Sequence, residues 1–549
     1  MVLTDELKAA IKGDVLSDEI SIDKYSRDAS LFVVRPSVIV FPKDAEDLKS
    51  LVRFVSEKRK SGADISLTGR AAGTDMSGGP LTQSIVVGFT KYFNHIGNVS
   101  AKSATAEAGV MYRDFERETL KYNAILPSYP ASRELCAMGG IVANNSGGEK
   151  TLKYGKTENY VSEVKVMLAD GLEHTLKKLN SGELKEKLTL QNFEGEIYRK
   201  IKKLLEDNWE AIQNAKPKVS KNSAGYYLWS VWDKVENTFD LSKLIVGSQG
   251  TLGLLTEATF NLVPVTQKAR MIILFLKEKD MPHLGKIINT ILPFKPESFE
   301  SYDDNTLKLA LKYFPSFAKL LGAKNLFSIG FKFLPEMWMA LTVGMPKLVL
   351  QAEFAGNDDA ELDRTVSELM KKLEPFKLKT RLAPSKEAAR KYWLIRRESF
   401  NLLRNKIKDK HTAPFIDDVV VRPEKLPEFL PQLNEILLKY NLTYTLAGHI
   451  GDGNFHIIPL MNFEDPKTQE IIPELSDKVY TLVLKFGGSI TGEHNDGLIR
   501  SPYLKTMYGE EIYHLFEEVK KIFDPLDIFN PGKKTKSSLE YAMDHIRHD

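Results

Sequence analysis

The stretch GHIGDGNFHIIP (448–459) places His449 and His456 seven residues apart among three glycines. Residues seven apart on one strand face opposite sides. The GDGN sequence (451–454) predicts a turn that resets this parity, so the two imidazoles converge from the limbs of a hairpin. A second glycine-framed segment, GGSITGEHNDG (487–497), offers Glu493 and His494. If that segment is extended, these neighbours point to opposite sides and take different roles. Two histidines and one carboxylate with open positions suit a catalytic divalent metal. His449, His456 and Glu493 are therefore assigned as ligands, with Zn²⁺ expected and Mn²⁺ or Fe²⁺ as alternatives, and His494 is left as general base. The competing reading is a hydrogen-bonded histidine cluster without metal. His95, His174, His283, His411, His514, His545 and His548 lack such framing and read as surface or packing residues.

Three other glycine-rich loops lie nearer the start of the chain. TGRAAGTDMSGG (68–79) joins two strand patterns, and successive amides in such a loop can form a concavity for a pyrophosphate. It has neither the Gly-Lys-Ser/Thr ending of a Walker loop nor the spacing of a Rossmann unit. CAMGGIVANNSGGEKTLKYG (136–155) adds amide side chains that can donate to phosphate or ring oxygens, and VGSQGTLG (246–253) follows an apolar strand. Together they imply one large ligand with phosphates and a polar ring.

With TGEHNDG and FNPGK, these segments form an ordered set that resembles the FAD-linked oxidases of the vanillyl-alcohol-oxidase type. Within it the chain is similar to the branch of D-2-hydroxyacid dehydrogenases, which includes D-lactate dehydrogenase, the glycolate oxidase FAD subunit and D-2-hydroxyglutarate dehydrogenase. The resemblance covers roughly residues 25–535. It implies an α+β fold: a PCMH-type FAD-binding domain of two α+β subdomains, then an α+β cap with an antiparallel sheet. It also implies that Thr68, Gly69, Arg70, Ala71, Ala72, Gly73, Thr74 and Ser77 cradle the pyrophosphate. Gly139, Gly140, Asn144, Asn145 and Gly147 would line the flavin and ribityl chain, Gly247, Gly250 and Thr251 would lie near the adenosine, and Asn530 of FNPGK joins the cofactor-binding set. No histidine lies in the 68–79 loop, so non-covalent FAD is expected. Gln249 replaces the family's glutamate, and Cys136 reads as a small buried residue.

By the same resemblance, WLIRRESF (393–400) carries the family's W-x-x-R, which makes Arg396 the substrate-carboxylate anchor, with Arg397 as the fallback. Tyr226 is expected to border the pocket. Relatives selective for 2-hydroxyglutarate carry a lysine that FIDDVVV (415–421) does not offer, and an asparagine where Ile458 stands. A monocarboxylate such as D-lactate is therefore the expected substrate. Hydride would pass from C2 to flavin N5 while a metal acidifies the hydroxyl and His494 takes its proton. Electrons would leave to an external acceptor: a quinone, a cytochrome, an electron-transfer flavoprotein or an iron–sulfur subunit. The alternatives are an alkylglycerone-phosphate-synthase-like transferase, or the flavin-bearing subunit of a larger redox complex.

The surrounding chain must position these groups. VIVF (38–41), a helix opening at Asp44 with Leu48, Leu51, Val52 and Val55 on one stripe, ISLTG (65–69) and IVVGF (85–89) predict alternating strands and helices. The expected division is a helical extension over 1–30, the FAD-binding domain over 31–265, the cap over 266–499 and a helical tail over 500–549 that packs back on the FAD domain. The lysine-rich stretch 177–224 reads as an exposed insertion with a helix near 194–213.

The 549 residues exceed one ordinary core, and a net charge of +3 argues against nucleic acid as a partner. A single cysteine and a charged opening segment fit a cytoplasmic protein. The apolar segment 326–350, broken by charges and prolines, suits burial or a peripheral membrane contact.

Overall fold

The computed structural model describes residues 3–304, 306–308, 345–406 and 410–548. Residues 326–344 of the apolar segment lie outside this set. Among the described residues no helix is long and apolar enough to cross a membrane.

The first module holds two larger sheets and a two-stranded one that pairs Ala124–Ile125 with Val263–Pro264. In the smaller of the larger two, Val38–Phe41, Ile85–Gly88 and Leu67–Arg70 run parallel, and Asp14–Leu16 adds an antiparallel edge. Parallel neighbours need a crossover, supplied here by the helix Ala45–Lys60. Asp44 caps that helix by accepting from the Asp47 amide, and Leu48, Leu51, Val52 and Val55 are buried beneath it. The second sheet has seven strands, antiparallel throughout, with Leu254–Asn261 between Val161–Met167 and Ser103–Glu107. Its core takes in Phe115, Ile197, Tyr198 and, from the helix Leu504–Phe523, Phe516 and Val519.

The stretch 177–224 is not an exposed insertion. The helices Ser181–Thr189 and Phe193–Asp207 lie within it, and Ile197, Tyr198, Ile201, Leu204 and Leu205 of the second are buried against the seven-stranded sheet. Lys200 and Lys203 occupy the solvent side of that second helix, whose apolar stripe is core.

The second module is built on an eight-stranded antiparallel sheet. Its strand Lys268–Leu276 is apolar almost throughout because both faces are covered. Ile272 and Leu274 pack into a core with the helices Leu284–Ile291, Asp359–Leu373, Leu426–Leu438 and Pro466–Lys485. Met271 and Ile273 face Ala389, Tyr392 and Trp393 of the helix Lys386–Lys406.

The chain then returns to the first module. Leu67 donates to Ile528 O at 2.7 Å and Asn530 donates back to Leu67 O at 2.9 Å, so a late segment lies parallel to the strand Leu67–Arg70.

Candidate active site

The hairpin exists and its register brings the two histidines together. The strands Thr443–His449 and Asn454–Met461 pair with Ala447 opposite His456, so His449 and His456 share one face of the sheet. Their rings are 5.3 Å apart, centroid to centroid. The turn needs glycine: Gly453 has φ +66°, and a Cβ there would lie 1.7 Å from Val421 O.

The segment carrying Glu493 and His494 is not extended. It curls around Asp418, whose Oδ2 accepts from the amides of Gly492, Glu493 and His494, each at 2.8 Å, and from the Thr491 hydroxyl at 2.7 Å. This nest turns both side chains inward, which corrects the expectation that they diverge. His494 stacks on His456 at 5.0 Å, and its Nε2 lies 3.9 Å from Glu493 Oε1. The same oxygen lies 3.1 Å from His449 Nε2 and 3.4 Å from His456 Nε2. Three imidazole nitrogens therefore face one carboxylate oxygen.

Each imidazole is held from behind. His449 Nδ1 lies 2.6 Å from Glu300 Oε1, and Asp417 spans the other two, its oxygens 3.0 Å from His456 Nδ1 and 2.6 Å from His494 Nδ1. A carboxylate on Nδ1 directs Nε2 at the shared point, as metal-ligating histidines require. Asp418 also has an oxygen within 4.8 Å of ligand atoms of His456, Glu493 and His494. Its four donors on Oδ2, with Asn454 Nδ2 on Oδ1 at 3.0 Å, commit it to shaping the backbone instead.

Burial opposes charge on Glu300, Asp417, Asp418, His456, Glu493 and His494, and the neighbours overcome it. Asp417 and Glu493 raise His456 to about 10, and Asp417 with Asp418 raises His494. Lys221 and the facing imidazoles hold Glu493 well below the usual carboxylate range, despite the burial. A divalent cation at the shared point would take the place of the Nε2 protons. The donor set fits such an ion.

One cavity of about 800 Å³ joins this cluster to the glycine loops of the first module. His449, His456, Glu493, His494 and Arg396 line one part of it, and Gly69, Arg70, Ala71, Ala72, Gly73, Thr74, Gly139, Gly140, Asn144, Gly147 and Gly250 line the rest. Among the described residues, no amide of residues 71–74 finds a partner within the chain, which leaves them available to an anion. Gly147 comes close to the cluster: a Cβ there would sit 3.0 Å from Glu493 Oε2. Asn144 is held by Asp75, to which it donates at 2.7 Å.

Other expected cofactor residues stand behind the wall. Thr68 and Asn530 bond to each other at 3.2 Å, and Asn530 also donates to the carbonyls of Gly79 and Gln249. Ser77 donates to Asp75 at 2.7 Å, and the Thr251 hydroxyl pairs with Tyr226. Asn145, at φ +48°, accepts from the Glu158 amide, and Gly247 packs against the Asn145 side chain. None of these six lines the cavity, and neither does Tyr226, which is buried against Phe516. Their hydrogen bonds set the shape of the loops. Gln249 does the same, accepting from the Gly497 amide at 2.8 Å. Cys136 lines the cavity as a buried thiol, pushed up to about 12 by its burial.

Of the two arginines, Arg397 is taken by Glu149, with both nitrogens within 2.9 Å. Both arginines line the cavity, and Arg396 Nε lies 3.2 Å from Glu300 Oε2 without hydrogen-bond alignment.

Four residues of the site escaped the sequence reading: Glu300, Asp417, Asp418 and Lys221. Lys221 is wholly buried, with Nζ 3.1 Å from Glu493 Oε2 and 3.4 Å from Asp452 Oδ2. A signal existed for the aspartates, since two acids inside FIDDVVV must be paired if that stretch is buried.

Residues 36–177 match the family model of a FAD binding domain, and residues 280–534 that of FAD linked oxidases, C-terminal domain. A D-2-hydroxyglutarate dehydrogenase of Pseudomonas putida is 27% identical over 533 residues, covering 96% of this chain and 51% of the relative. A D-lactate dehydrogenase of Archaeoglobus fulgidus is 25% identical over 518 residues, covering 93% and 95%. The chain thus spans about half the length of the first curated relatives it matches. Among solved structures, p-cresol methylhydroxylase with substrate bound superposes with a TM-score of 0.67 at 14% identity, over 97% of this chain and 96% of that one. An alkyldihydroxyacetonephosphate synthase gives 0.63 at 16%, over 96% and 84%. At these identities the structural likeness is one of fold.

Proposed function

From the premise that this chain belongs to the FAD-linked oxidases, we propose that it is an FAD-dependent dehydrogenase that oxidises a D-2-hydroxy acid to the 2-oxo acid. Its fold is the expected one, a PCMH-type FAD-binding domain followed by the α+β C-terminal domain of that family. The observation that carries the proposal is a single cavity lined by the glycine loops, by three converging imidazoles with a carboxylate, and by Arg396. When bound, FAD would supply the hydride acceptor at N5, and a divalent cation, Zn²⁺ by preference or Mn²⁺ or Fe²⁺, would supply the acidity that loosens the substrate hydroxyl proton.

The chain's own residues do the rest. Loop 69–74 with Gly139 and Gly140 would hold the cofactor non-covalently, and His449, His456 and Glu493 would hold the cation. Arg396, which lines the same cavity, would bind the substrate carboxylate through its guanidinium and so fix the orientation of C2. His494 Nε2 is the farthest of the three nitrogens from Glu493 Oε1 and is the one left to accept the hydroxyl proton. Asp417 then stabilises the imidazolium so formed from Nδ1, at 2.6 Å.

A small monocarboxylate such as D-lactate is the preferred substrate. Arg397 is paired with Glu149, and the apolar Ile458 lines the cavity, which favours a substrate with a single carboxylate. The electrons would pass on to an external acceptor.

Anaerobic titration of the purified flavoprotein with D-lactate, L-lactate and D-2-hydroxyglutarate, with and without a chelator, tests this. Bleaching of the flavin by D-lactate, abolished by chelation while FAD stays bound, is the expected result. Full reduction that ignores the chelator would remove the cation from the mechanism, and no reduction by any 2-hydroxy acid would overturn the activity.

A further inference from the structure

Glu300 stands at the junction between the group assigned to the substrate and a group assigned to the cation. It lies in the strand Ser298–Asp303, hydrogen-bonded to the strand Thr443–His449 through Ser301 and Gly448. The side chain is 2% exposed and lines the cavity. Its two oxygens divide the work: Oε1 is 2.6 Å from His449 Nδ1 and Oε2 is 3.2 Å from Arg396 Nε. Arg396 comes from a different element, the helix Lys386–Lys406. One buried carboxylate therefore touches two cavity-lining groups that approach it from separate parts of the cap.

We propose that Glu300 is a positioning residue that couples substrate anchoring to the cation site, one oxygen orienting His449 and the other orienting Arg396. The inference rests on the functional reading above. Chemically, the Oε1 contact places the His449 proton on Nδ1 and leaves the Nε2 lone pair for a cation. The Oε2 contact is an ion pair on the Nε side of the Arg396 guanidinium, which holds that cation beside the cavity by charge. Substrate binding would draw the arginine, the carboxylate would follow, and the imidazole behind it would feel the change. A glutamine has the same size but only one carbonyl oxygen. It is also uncharged, so E300Q keeps at most the hydrogen bond to the imidazole and loses the ion pair with the guanidinium.

The test uses the FAD-loaded full chain in four forms: wild type, E300Q, R396M and the double variant. Zn²⁺ affinity is measured by equilibrium competition with a chelating dye, and KM and kcat are measured with D-lactate. E300Q is expected to weaken Zn²⁺ about 10- to 100-fold, the scale for loss of a carboxylate behind a ligating histidine. R396M is expected to shift Zn²⁺ affinity by roughly threefold or more when Glu300 is present and not in the E300Q background, as coupling through a shared partner requires. In turnover, E300Q should raise KM more than it lowers kcat, and adding R396M should raise KM little further.

Unchanged Zn²⁺ affinity in E300Q overturns the proposal, as does a wild type that binds no Zn²⁺, or an R396M effect identical in both backgrounds. Should E300Q fold poorly, E300D replaces it: the shorter carboxylate keeps the charge but reaches one partner, so one of the two parameters recovers. A wild type that binds Zn²⁺ but is not reduced by any 2-hydroxy acid sinks the functional reading alone, because the Zn²⁺ measurements still decide the coupling.

Discussion

The ammonium of Lys221 lies 3.1 Å from Glu493 Oε2, and the lysine side chain is wholly excluded from solvent. Glu493 thus presents one oxygen to the imidazoles and gives the other to a fixed positive charge. Removing that charge leaves a buried carboxylate short of its strongest partner. Lys221→Met is expected to destabilise the protein by about 3 kcal/mol, at the low end for breaking a buried pair because the imidazoles remain. Thermal unfolding measures this, and a melting point equal to that of the wild type would mean that Lys221 is not charged in the folded state.

Arg396 and Arg397 both line the cavity but differ in their partners, Glu300 for the first and Glu149 for the second. Arg396→Met is expected to lower kcat/KM for D-lactate by roughly 10- to 100-fold, the scale of a lost charged hydrogen-bond pair, and Arg396→Lys to recover little of it. Arg397→Met breaks the partly exposed pair with Glu149, worth about 0–1 kcal/mol, and the contact with the Trp393 ring, and should leave kcat/KM within roughly twofold. Steady-state kinetics of both variants decide the assignment, and equal losses would show that the two arginines share the anchor.

Asp417 supports two imidazoles from one carboxylate. Asp417→Asn keeps the shape but offers one acceptor where two N–H groups need one each. The variant should hold Zn²⁺ about 10- to 100-fold more weakly while retaining FAD. Metal analysis after dialysis, alongside the flavin absorbance, reads both quantities.

A pH dependence arises far from the cavity, at His174. Burial opposes its charge, but Asp170, 2.9 Å from Nε2, and Glu194, 3.7 Å from Nδ1, raise it from 6.5 to about 9. A raised histidine stabilises the fold fully below its unfolded value and ceases to do so as pH climbs through its folded value. The shift amounts to about 3 kcal/mol, present at pH 6 and lost between about 6.5 and 9. The melting temperature of the wild type should fall across that window, and that of His174→Gln should be lower at pH 6 and flatter above it. Parallel profiles for the two proteins would exclude His174 as the source.

Much of the site was legible because it is local. The convergence of His449 and His456 follows from four turn residues, and the helix over 45–60 from a cap and a stripe. What failed was each inference that needed a distant partner. Glu493 and His494 were judged by strand parity, but their backbone obeys Asp418, some 75 residues earlier in the chain. Glu300 meets His449 across 149 positions, and Lys221 meets Glu493 across 272. A single buried charge in a strand has no periodicity to betray it. In the stretch 177–224 the many lysines mask the helical spacing of Ile197, Ile201 and Leu205, which is the signal of a buried stripe.

The late segment that lies along the strand Leu67–Arg70 has a consequence for biosynthesis. Leu67 waits for Ile528 and Asn530, and the Leu81 carbonyl waits for Lys533, which donates to it at 2.6 Å. At ribosomal speeds of about 5–20 residues per second, the interval between making these partners is roughly 20–90 s. Throughout that time the nascent polypeptide carries an unfinished nucleotide fold, with the edge of its small sheet uncovered. The nucleotide module is therefore completed only late in synthesis, and a ribosome stalled near residue 500 would display a small sheet whose Leu67–Arg70 edge is still unpaired.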